Sequence, residues 1–583
     1  MAALTTPANR ATFTVALKNG DYVRHAARNA PDMRRTKSLE AFLPALVALG
    51  FGCAAAGCTG ALDAGVGGGD RQPPVERGSV PLRALRPDEI NNALDDVFGE
   101  GERREVDFPV ARVPDRYSTF AAAQVVSPAS LGIIEARLGE VASDLARSPT
   151  AIGCSVEVEG RACVEAFSRR VLSRLYRRDA TDADIQRVGQ LFESRRAEED
   201  ATSALATTLQ AMLMSPYFLY AWNADAIAAA GTTRTRLSGF ELSERLALLL
   251  WQSVPDARLL EAARTGRLDS VSGIRAEASR MMEDARVERF VLGFVREWLG
   301  VDHVSTLSRE IPEWNDSLRP EMEHEVERFV GDWLEKHGSM SGLFTSRRRF
   351  LSPTLAAFVQ LPTLASETGR GVEASNPEHA SGIFTLTAFT AAHAMPSMRF
   401  GPTKRGHWIR THLLCGVIGS PPPTALAEAP DVRAGESTRQ WHERLMENSY
   451  CGGCHSRMDN MGFSLEHFDG AGRFRMTDSG HAINTSARVG ESQDVMLDGA
   501  YDSIPDMAQG FAGSPVVADC MAQHLTEYAL GTDQSRATLL GTVSRRSIAI
   551  RPVSQALLTQ DFTAAMLELV TSDAFLTTAR ETR

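Results

Sequence analysis

Two cysteines and a histidine form the most chemically specific pattern in the sequence. In "NSYCGGCHSRMDNMGF", residues 448–463, Cys451 and Cys454 lie three positions apart and His455 follows directly. Two thiols about one helical turn apart can add across the two vinyl groups of a haem, and the next histidine then lies under the iron. Chance is a poor explanation, because the 583-residue chain has only eight cysteines and 13 histidines. The pattern predicts a covalent haem c on Cys451 and Cys454, with His455 as the proximal ligand of the iron.

The same residues permit two other chemistries, which the sequence leaves open. The thiols of a Cys-x-x-Cys pair oxidise readily, and Gly452 and Gly453 would ease the turn of a disulfide or a redox dithiol. A zinc site would need a further pair of ligands, and none of the candidates has the spacing of a zinc ribbon or finger. These candidates are Cys415, Cys520, His442 and His481.

A haem at this motif also raises the question of what lies on its other face. Met458 follows His455 by three residues, which on a helix places both side chains on one side, so Met458 is excluded as the distal ligand. The distal candidates are Met496, Met507, Met521, His481 and His524, or the sixth position stays open. After the motif, Glu466, Asp469 and Arg475 either orient His455 or the haem propionates, or cap a turn.

The remaining cysteines suggest an exported protein with disulfides. Cys154 and Cys163 flank the short polar loop "CSVEVEGRAC", and we expect them to pair. Cys415 and Cys520 are then the leftover pair, with two buried thiols as the alternative.

The first residues carry an export signal. From Met33, the basic residues "RR" and "K" precede an apolar stretch that ends in "AAGC", residues 55–58, which looks like the lipobox of bacterial lipoproteins. In such a box the cysteine is acylated, here Cys58, and the Gly-rich stretch after it would be a tether. An uncleaved membrane span is the alternative, because residues 41–62 carry no charged side chain and are long enough to cross a bilayer. We expect an exported, lipid-anchored protein of the cell envelope, at the outer membrane or the periplasmic face.

Helical patterns predominate in the rest of the chain, so the predicted fold class is mainly α, in several consecutive helical domains with a small Cys-x-x-Cys-His region resembling cytochrome c. Segments such as "RALRPDEINNALDDVFG" and "LSGFELSERLALLLWQSVPD" combine helix-start residues with apolar spacing of one helical face. Alternation typical of strands is rare, and "AINTSARVGESQDVMLDGAY" is the best candidate for one short hairpin.

Breaks in composition predict the domain order. The predicted segments are a signal peptide at 1–57 with the true start at Met33, a lipidated Gly-rich tether at 58–80, helical domains at 81–150, 151–225 (with Cys154 and Cys163) and 235–360, the Cys-x-x-Cys-His domain at 381–490, and a C-terminal helical domain at 495–583. The formal net charge of -11 argues against a nucleic-acid partner, which would require a basic surface.

The motif region as a whole resembles a known family. "GPTKRGHWIRTHLLCGVIGSPPP", followed by "CGGCHSRMDNMGFSLEHFDGAGRFR", is similar to the planctomycete-type cytochrome-like secreted proteins, which are described as consecutive domains of unknown function. The matching positions are Arg405, Gly406, Trp408, Gly462, Phe463, Glu466, Phe468, Asp469, Gly472 and Arg475. Where the family has Asp-Pro, this chain has Asp459-Asn460. Blocks such as "CVEAFSRRVLSRLYRRDAT" extend the resemblance over nearly all of the chain after about residue 80.

The resemblance implies an exported cytochrome-like protein without implying a particular reaction. We therefore expect a lipoprotein with one haem c, which takes part in extracytoplasmic electron transfer or a haem-dependent oxidation, with a redox protein or a small molecule as its partner. The alternative is a haem-free surface lipoprotein in which Cys451 and Cys454 form a disulfide.

Overall fold

The computed structural model describes residues 83–99, 105–109, 116–120, 126–221, 234–395, 401–420, 430–531 and 543–579. The predicted signal peptide, the lipidation site Cys58 and the tether at 58–80 lie outside the described residues and stay predictions. All of the described residues belong to one compact unit, Pro74–Arg583. In the described part of the chain, no helix is both long and apolar enough to cross a membrane.

The fold is mainly helical, which confirms the predicted class. The described helices before residue 222 are Pro87–Phe98, Pro128–Ala146, Pro149–Ile152, Val156–Glu159, Arg161–Leu175, Asp182–Arg196, Ala201–Leu213 and Pro216–Leu219. Those after residue 233 are Gly239–Leu250, Ala257–Arg264, Val271–Met282, Val287–Trp298, Leu318–Glu335, Met340–Thr345, Pro353–Phe358, Thr387–Ala392, Gly401–Trp408, Thr438–Glu447, Ser449–His455, Asp459–Gly462, Ile504–Gly513, Pro515–Leu530, Val543–Thr559, Phe562–Val570 and Asp573–Leu576. Short 3-10 turns occupy Arg267–Asp269, Val304–Thr306, Pro362–Leu364, Pro377–His379 and Phe463–Leu465, and a π-helical turn occupies Ile409–Leu413.

The described strands form small antiparallel pairs. These are Arg83–Ala84 with Tyr220–Ala221, Arg234–Arg236 with Thr577–Ala579, Arg348–Arg349 with Val372–Glu373, Thr477–Asp478 with His481–Ala482, and Ala487–Val489 with Gly499–Tyr501. The last pair lies in the stretch predicted as a hairpin, with Ala487 opposite Tyr501 and Val489 opposite Gly499. That prediction is confirmed.

Local capping explains where many helices begin. Ser238 accepts a hydrogen bond from the backbone N–H of Glu241, and the Glu241 side chain accepts one from the backbone of Ser238. This reciprocal pair satisfies two backbone donors at the start of a helix. Asp256 caps the next helix in the same way, by accepting from the N–H of Leu259.

The buried apolar side chains form two large clusters and one small one. One large cluster runs from Leu85 to Leu219, with Leu248 and Val254 added, so the predicted domains at 81–150 and 151–225 share it. The other runs from Leu237 to Leu576 and takes in residues of the three later predicted domains. The small cluster consists of Trp441, Leu445 and Cys451. The domain boundaries themselves stay predictions.

The described residues contain two disulfides, with the pairing expected from the sequence. One joins Cys154 to Cys163 across nine residues, and the other joins Cys415 to Cys520 across 105 residues. The second fixes the chain just after the π-helical turn Ile409–Leu413 to the helix Pro515–Leu530. It therefore holds the segment that leads to the motif against the C-terminal helices.

Candidate functional site

The Cys-x-x-Cys-His motif lies on a short helix, Ser449–His455, here called the motif helix. Asn448 caps it by accepting a hydrogen bond from the N–H of Tyr450. A Cβ at position 452 would lie 2.3 Å from the carbonyl oxygen of Met446, whereas one at Gly453 would meet nothing within 4 Å. Gly452 therefore lets the motif helix approach the end of the preceding helix, rather than easing the turn of a disulfide.

The two motif cysteines differ in exposure. Cys451 is buried, at 8% exposure, with Trp441 and Leu445, while Cys454 is exposed. Both are thiols in this structure, and the disulfide of the alternative interpretation is not what the described motif contains. At 100° per residue, Cys451, Cys454 and His455 lie within one arc of the motif helix. The three side chains can therefore bind one ligand together.

A buried carboxylate holds the motif histidine. Asp459 Oδ2 accepts a hydrogen bond from His455 Nδ1 at 2.9 Å and from His442 Nδ1 at 2.7 Å. The side chains of His442 and Asp459 are fully buried, and that of His455 is 22% exposed. Because an ionised carboxylate only accepts hydrogen bonds, both imidazoles carry their proton on Nδ1. Nε2 of His455 is then the ring nitrogen with a lone pair for a metal.

The electrostatics keep Asp459 ionised. Burial by itself raises the pKa of Asp459, but the hydrogen bonds and charges of His442 and His455 outweigh burial and hold that pKa below its usual range. The other carboxylate oxygen, Oδ1, is buried and has no hydrogen-bond partner among the described residues. A buried acceptor left unsatisfied costs about 1–3 kcal/mol, so this geometry is more typical of a functional site than of a structural pair.

The helix Gly401–Trp408 packs closely against the segment that follows the motif helix. A Cβ at Gly406 would lie 1.9 Å from the carbonyl oxygen of Met458, and one at Gly462 would lie 1.9 Å from that of Pro402. These two glycines allow backbone-to-backbone contact between the segments. Thr403 Oγ1 lies 3.5 Å from His455 Nδ1, the same ring nitrogen that contacts Asp459.

Two buried arginines fix the loops around the site. Arg405 donates to the carbonyl oxygens of Leu465, Phe468 and Asp469. Arg410 donates to the carbonyl oxygen of Arg457, two residues after His455, and to that of Gly490. Arginine suits this task because its planar group presents five N–H donors. The position of Arg405 explains why the resemblance includes it.

The polar residues that follow the motif have structural roles. Asp469 Oδ1 accepts from the backbone N–H groups of Ala471 and Arg473, so it caps a turn. Glu466 pairs with Arg475 at 3.2 Å. Of the two roles that the sequence left open for these residues, their contacts match turn capping and ion pairing, and it is Asp459 that contacts His455.

The distal-ligand candidates lie in two kinds of surroundings. Met507 and Met521 are buried in the large cluster that runs from Leu237 to Leu576. His524 Nδ1 lies 2.8 Å from the hydroxyl of Tyr117, at hydrogen-bond distance. Met496 is 88% exposed, and His481 Nε2 lies 3.0 Å from the carbonyl oxygen of Gly435. None of these contacts assigns a distal ligand, which stays open.

The structure does not bring together the four predicted zinc candidates. Cys415 and Cys520 are joined in a disulfide, with His524 close to both sulphurs. His442 instead meets His455 and Asp459, and one ligand atom from each of these three lies within 4.8 Å of the others. This second group has the donor types that bind a divalent transition metal.

Sequence reasoning missed the role of Asp459 and placed His442 only among zinc candidates. Asp459 lies four residues after His455, at the spacing of neighbours on one helix face, so that signal was present in the sequence. The contact with His442 spans 17 residues and two helices. Only the tertiary fold could reveal it.

Comparison with known proteins divides the chain into three matched segments. The family models are PSD5, a protein of unknown function (DUF1595), at residues 163–222, PSD4, a protein of unknown function (DUF1592), at residues 237–361, and PSCyt3, a protein of unknown function (DUF1588), at residues 380–478. The last segment contains the motif helix and Asp459. No curated protein and no solved structure matches the chain. The chain thus carries three consecutive domains of the planctomycete cytochrome-like families.

Proposed function

We propose that this protein is an exported lipoprotein with one haem c, and that it acts in extracytoplasmic electron transfer or a haem-dependent oxidation. Cys451 and Cys454 would hold the haem through thioether bonds, and Nε2 of His455 would bind its iron. The haem supplies the one-electron chemistry when it is bound. The lipid anchor at Cys58 and a redox partner, protein or small molecule, belong to the same proposal.

One observation carries the haem proposal: the buried carboxylate of Asp459 accepts a hydrogen bond from Nδ1 of His455, the histidine of the motif. Metal-binding histidines usually donate their second ring N–H to a carboxylate, carbonyl or water, which fixes the tautomer and the ring orientation. Here this support is in place without the metal, so the residues fit a haem iron. The cytochrome-like domain around the motif is consistent with such a redox role.

Each residue of the site has a definable task in this proposal. Cys451, packed against Trp441 and Leu445, fixes one point of attachment, and the exposed Cys454 leaves the other accessible to haem and to the attachment machinery. Asp459 keeps the proton of His455 on Nδ1.

A second candidate is a divalent metal bound by His442, His455 and Asp459 without haem. The observation in its favour is that their ligand atoms already lie within 4.8 Å of one another. Two histidines and one carboxylate are a common ligand set for iron(II) and zinc. In that case Cys451 and Cys454 would have no part in binding.

The experiment is to produce the mature chain in a host that attaches c-type haem, and to record its pyridine haemochrome spectrum and its metal content. A haem that resists acid extraction and is lost in the double variant Cys451→Ala/Cys454→Ala supports the proposal. A colourless folded protein that holds about one iron or zinc, and loses it in His442→Ala, would replace the haem proposal with the second candidate.

A further inference from the structure

One buried carboxylate oxygen, that of Asp459, connects two histidine side chains by hydrogen bonds. The side chains of both Asp459 and His442 are completely buried, and Asp459 Oδ2 accepts from two imidazoles at once. Among the described residues, the two imidazole N–H groups are the donors given for its side chain. The negative charge of the Asp459 carboxylate is thus buried beside the imidazole ring of His455.

A charged acceptor on Nδ1 changes what the opposite nitrogen can give to a metal. Hydrogen bonds with an ionised partner are about twice as strong as neutral ones, and a carboxylate draws the Nδ1 proton towards itself. The ring then gains imidazolate character, and Nε2 becomes a more basic ligand. Second-shell hydrogen bonding of this kind is one of the means by which a protein sets the potential of a haem.

His442 competes for the same oxygen. Its Nδ1–H lies 0.2 Å closer to Asp459 Oδ2 than that of His455, by the two distances given above. Each donor that a carboxylate accepts lowers the electron density left for the others. His442 therefore weakens the effect of Asp459 on His455 through the oxygen that the two imidazoles share.

We propose that Asp459 and His442 are a pair of positioning residues that set the reduction potential of the centre, Asp459 lowering it through His455 and His442 opposing that effect. This inference rests on the proposed haem. It makes the ferric state the favoured one and places the protein on the electron-donating side of a transfer. It also distinguishes this centre from one whose proximal histidine bonds a neutral backbone carbonyl.

A purely structural role for Asp459 would affect stability and not the reduction potential. If the carboxylate only holds the helices Thr438–Glu447 and Asp459–Gly462 together, its replacement would lower stability and leave the potential unchanged. The matched control is Asp469→Asn, which removes another buried carboxylate of the same domain, one that accepts from a turn backbone and from Arg473 and has no contact with His455 among its described hydrogen bonds. A general effect of removing buried charge would appear equally in both variants.

The experiment measures the midpoint potential of the haem-bearing protein by spectroelectrochemistry, together with imidazole ¹H–¹⁵N spectra of the haem-free protein. We expect Asp459→Asn to raise the ratio of reduced to oxidised haem at a fixed potential at least tenfold, which is 59 mV for one electron. His442→Phe should shift the ratio the other way, and Asp469→Asn should change it by less than half as much as Asp459→Asn. The spectra should show the Nδ1–H tautomer for both histidines.

The outcomes separate this inference from the proposal beneath it. A wild-type protein without haem overturns the proposed function and the inference with it. A haem-bearing protein in which Asp459→Asn and Asp469→Asn have equal potentials overturns the inference alone. If Asp459→Asn does not fold, His442→Phe decides, because a potential equal to or above that of the wild type contradicts the role given to His442.

Discussion

At the scale of single residues, the site depends on close approach as much as on chemistry. Gly452 is in contact with the Met446 carbonyl, Gly406 with that of Met458, and Gly462 with that of Pro402. Each glycine brings two backbones closer than any side chain would permit. The contacts that place His455 beside Asp459 therefore rest on residues without side chains.

Gly452→Ala tests this at the motif helix itself. The added methyl group would overlap the Met446 carbonyl, so we expect the free energy of unfolding to fall by about 1–3 kcal/mol, the usual cost of overpacking. Urea denaturation followed by circular dichroism measures it. Gly453→Ala is the matched control, since nothing lies within 4 Å of that position, and we expect it to be stabilising by about 0.5–1 kcal/mol. Equal effects of the two substitutions would contradict this account.

At the scale of elements, the segment Gly401–Leu413 joins the motif to a buried aromatic layer. Thr403 lies beside His455 at one end, and further along the ring of Trp408 stacks on that of His412, which in turn stacks on His524. Burial lowers the pKa of His524 to about 4, and it lowers that of His393, which packs near Trp408, to about 4 as well. These histidines are neutral in the folded protein.

Neutral buried histidines make stability depend on pH. In the unfolded chain a histidine takes up its proton near pH 6.5, whereas His393 does so only near pH 4, so between these values the unfolded state binds more protons. The contribution of His393 is therefore complete above pH 6.5 and is lost as the pH falls towards 4. Each such histidine adds about 1.4 kcal/mol per pH unit to the slope of the unfolding free energy.

His393→Phe should therefore reduce the slope of the unfolding free energy against pH by about 1.4 kcal/mol per pH unit between pH 6.5 and 4, which corresponds to one proton. Urea denaturation at a series of pH values measures this slope. Loss of the donor to the Leu299 carbonyl lowers the whole curve without altering the slope. A slope unchanged in His393→Phe would contradict the expected reduction, because it would show that the histidine takes up its proton at the same pH in the folded and unfolded states.

The sequence predicted most individual elements because their determinants are local. Ser238 and Glu241 mark a helix start within four residues, and the alternation in residues 482–501 marks the hairpin. The large clusters and the His442–Asp459–His455 contact depend on packing between segments far apart in the sequence. The residue types gave Cys451, Cys454 and His455, but spacing alone could not indicate which buried carboxylate supports them.

At the scale of the whole molecule, one disulfide spans much of the large apolar cluster that runs from Leu237 to Leu576. The disulfide Cys415–Cys520 closes a loop of 105 residues that contains the motif helix and the hairpin Ala487–Tyr501. The disulfide Cys154–Cys163 closes a loop of only nine residues. In the loop-entropy account, the longer loop gives the larger stabilisation.

We expect Cys415→Ser/Cys520→Ser to lower the free energy of unfolding by about 4–5 kcal/mol, and Cys154→Ser/Cys163→Ser by less than about 3 kcal/mol. Guanidinium denaturation of the oxidised proteins compares them. The reverse order would mean that native packing around the short loop, rather than chain entropy, determines the contribution of these bonds.

The most direct test of the whole account is the intact mass of the mature chain purified from a host that attaches c-type haem, with its thiols alkylated under denaturing conditions. We expect one added haem mass and no alkylation at Cys451 or Cys454, because both sulphurs are in thioether bonds. A chain without added mass, alkylated at both cysteines, would contradict the central claim.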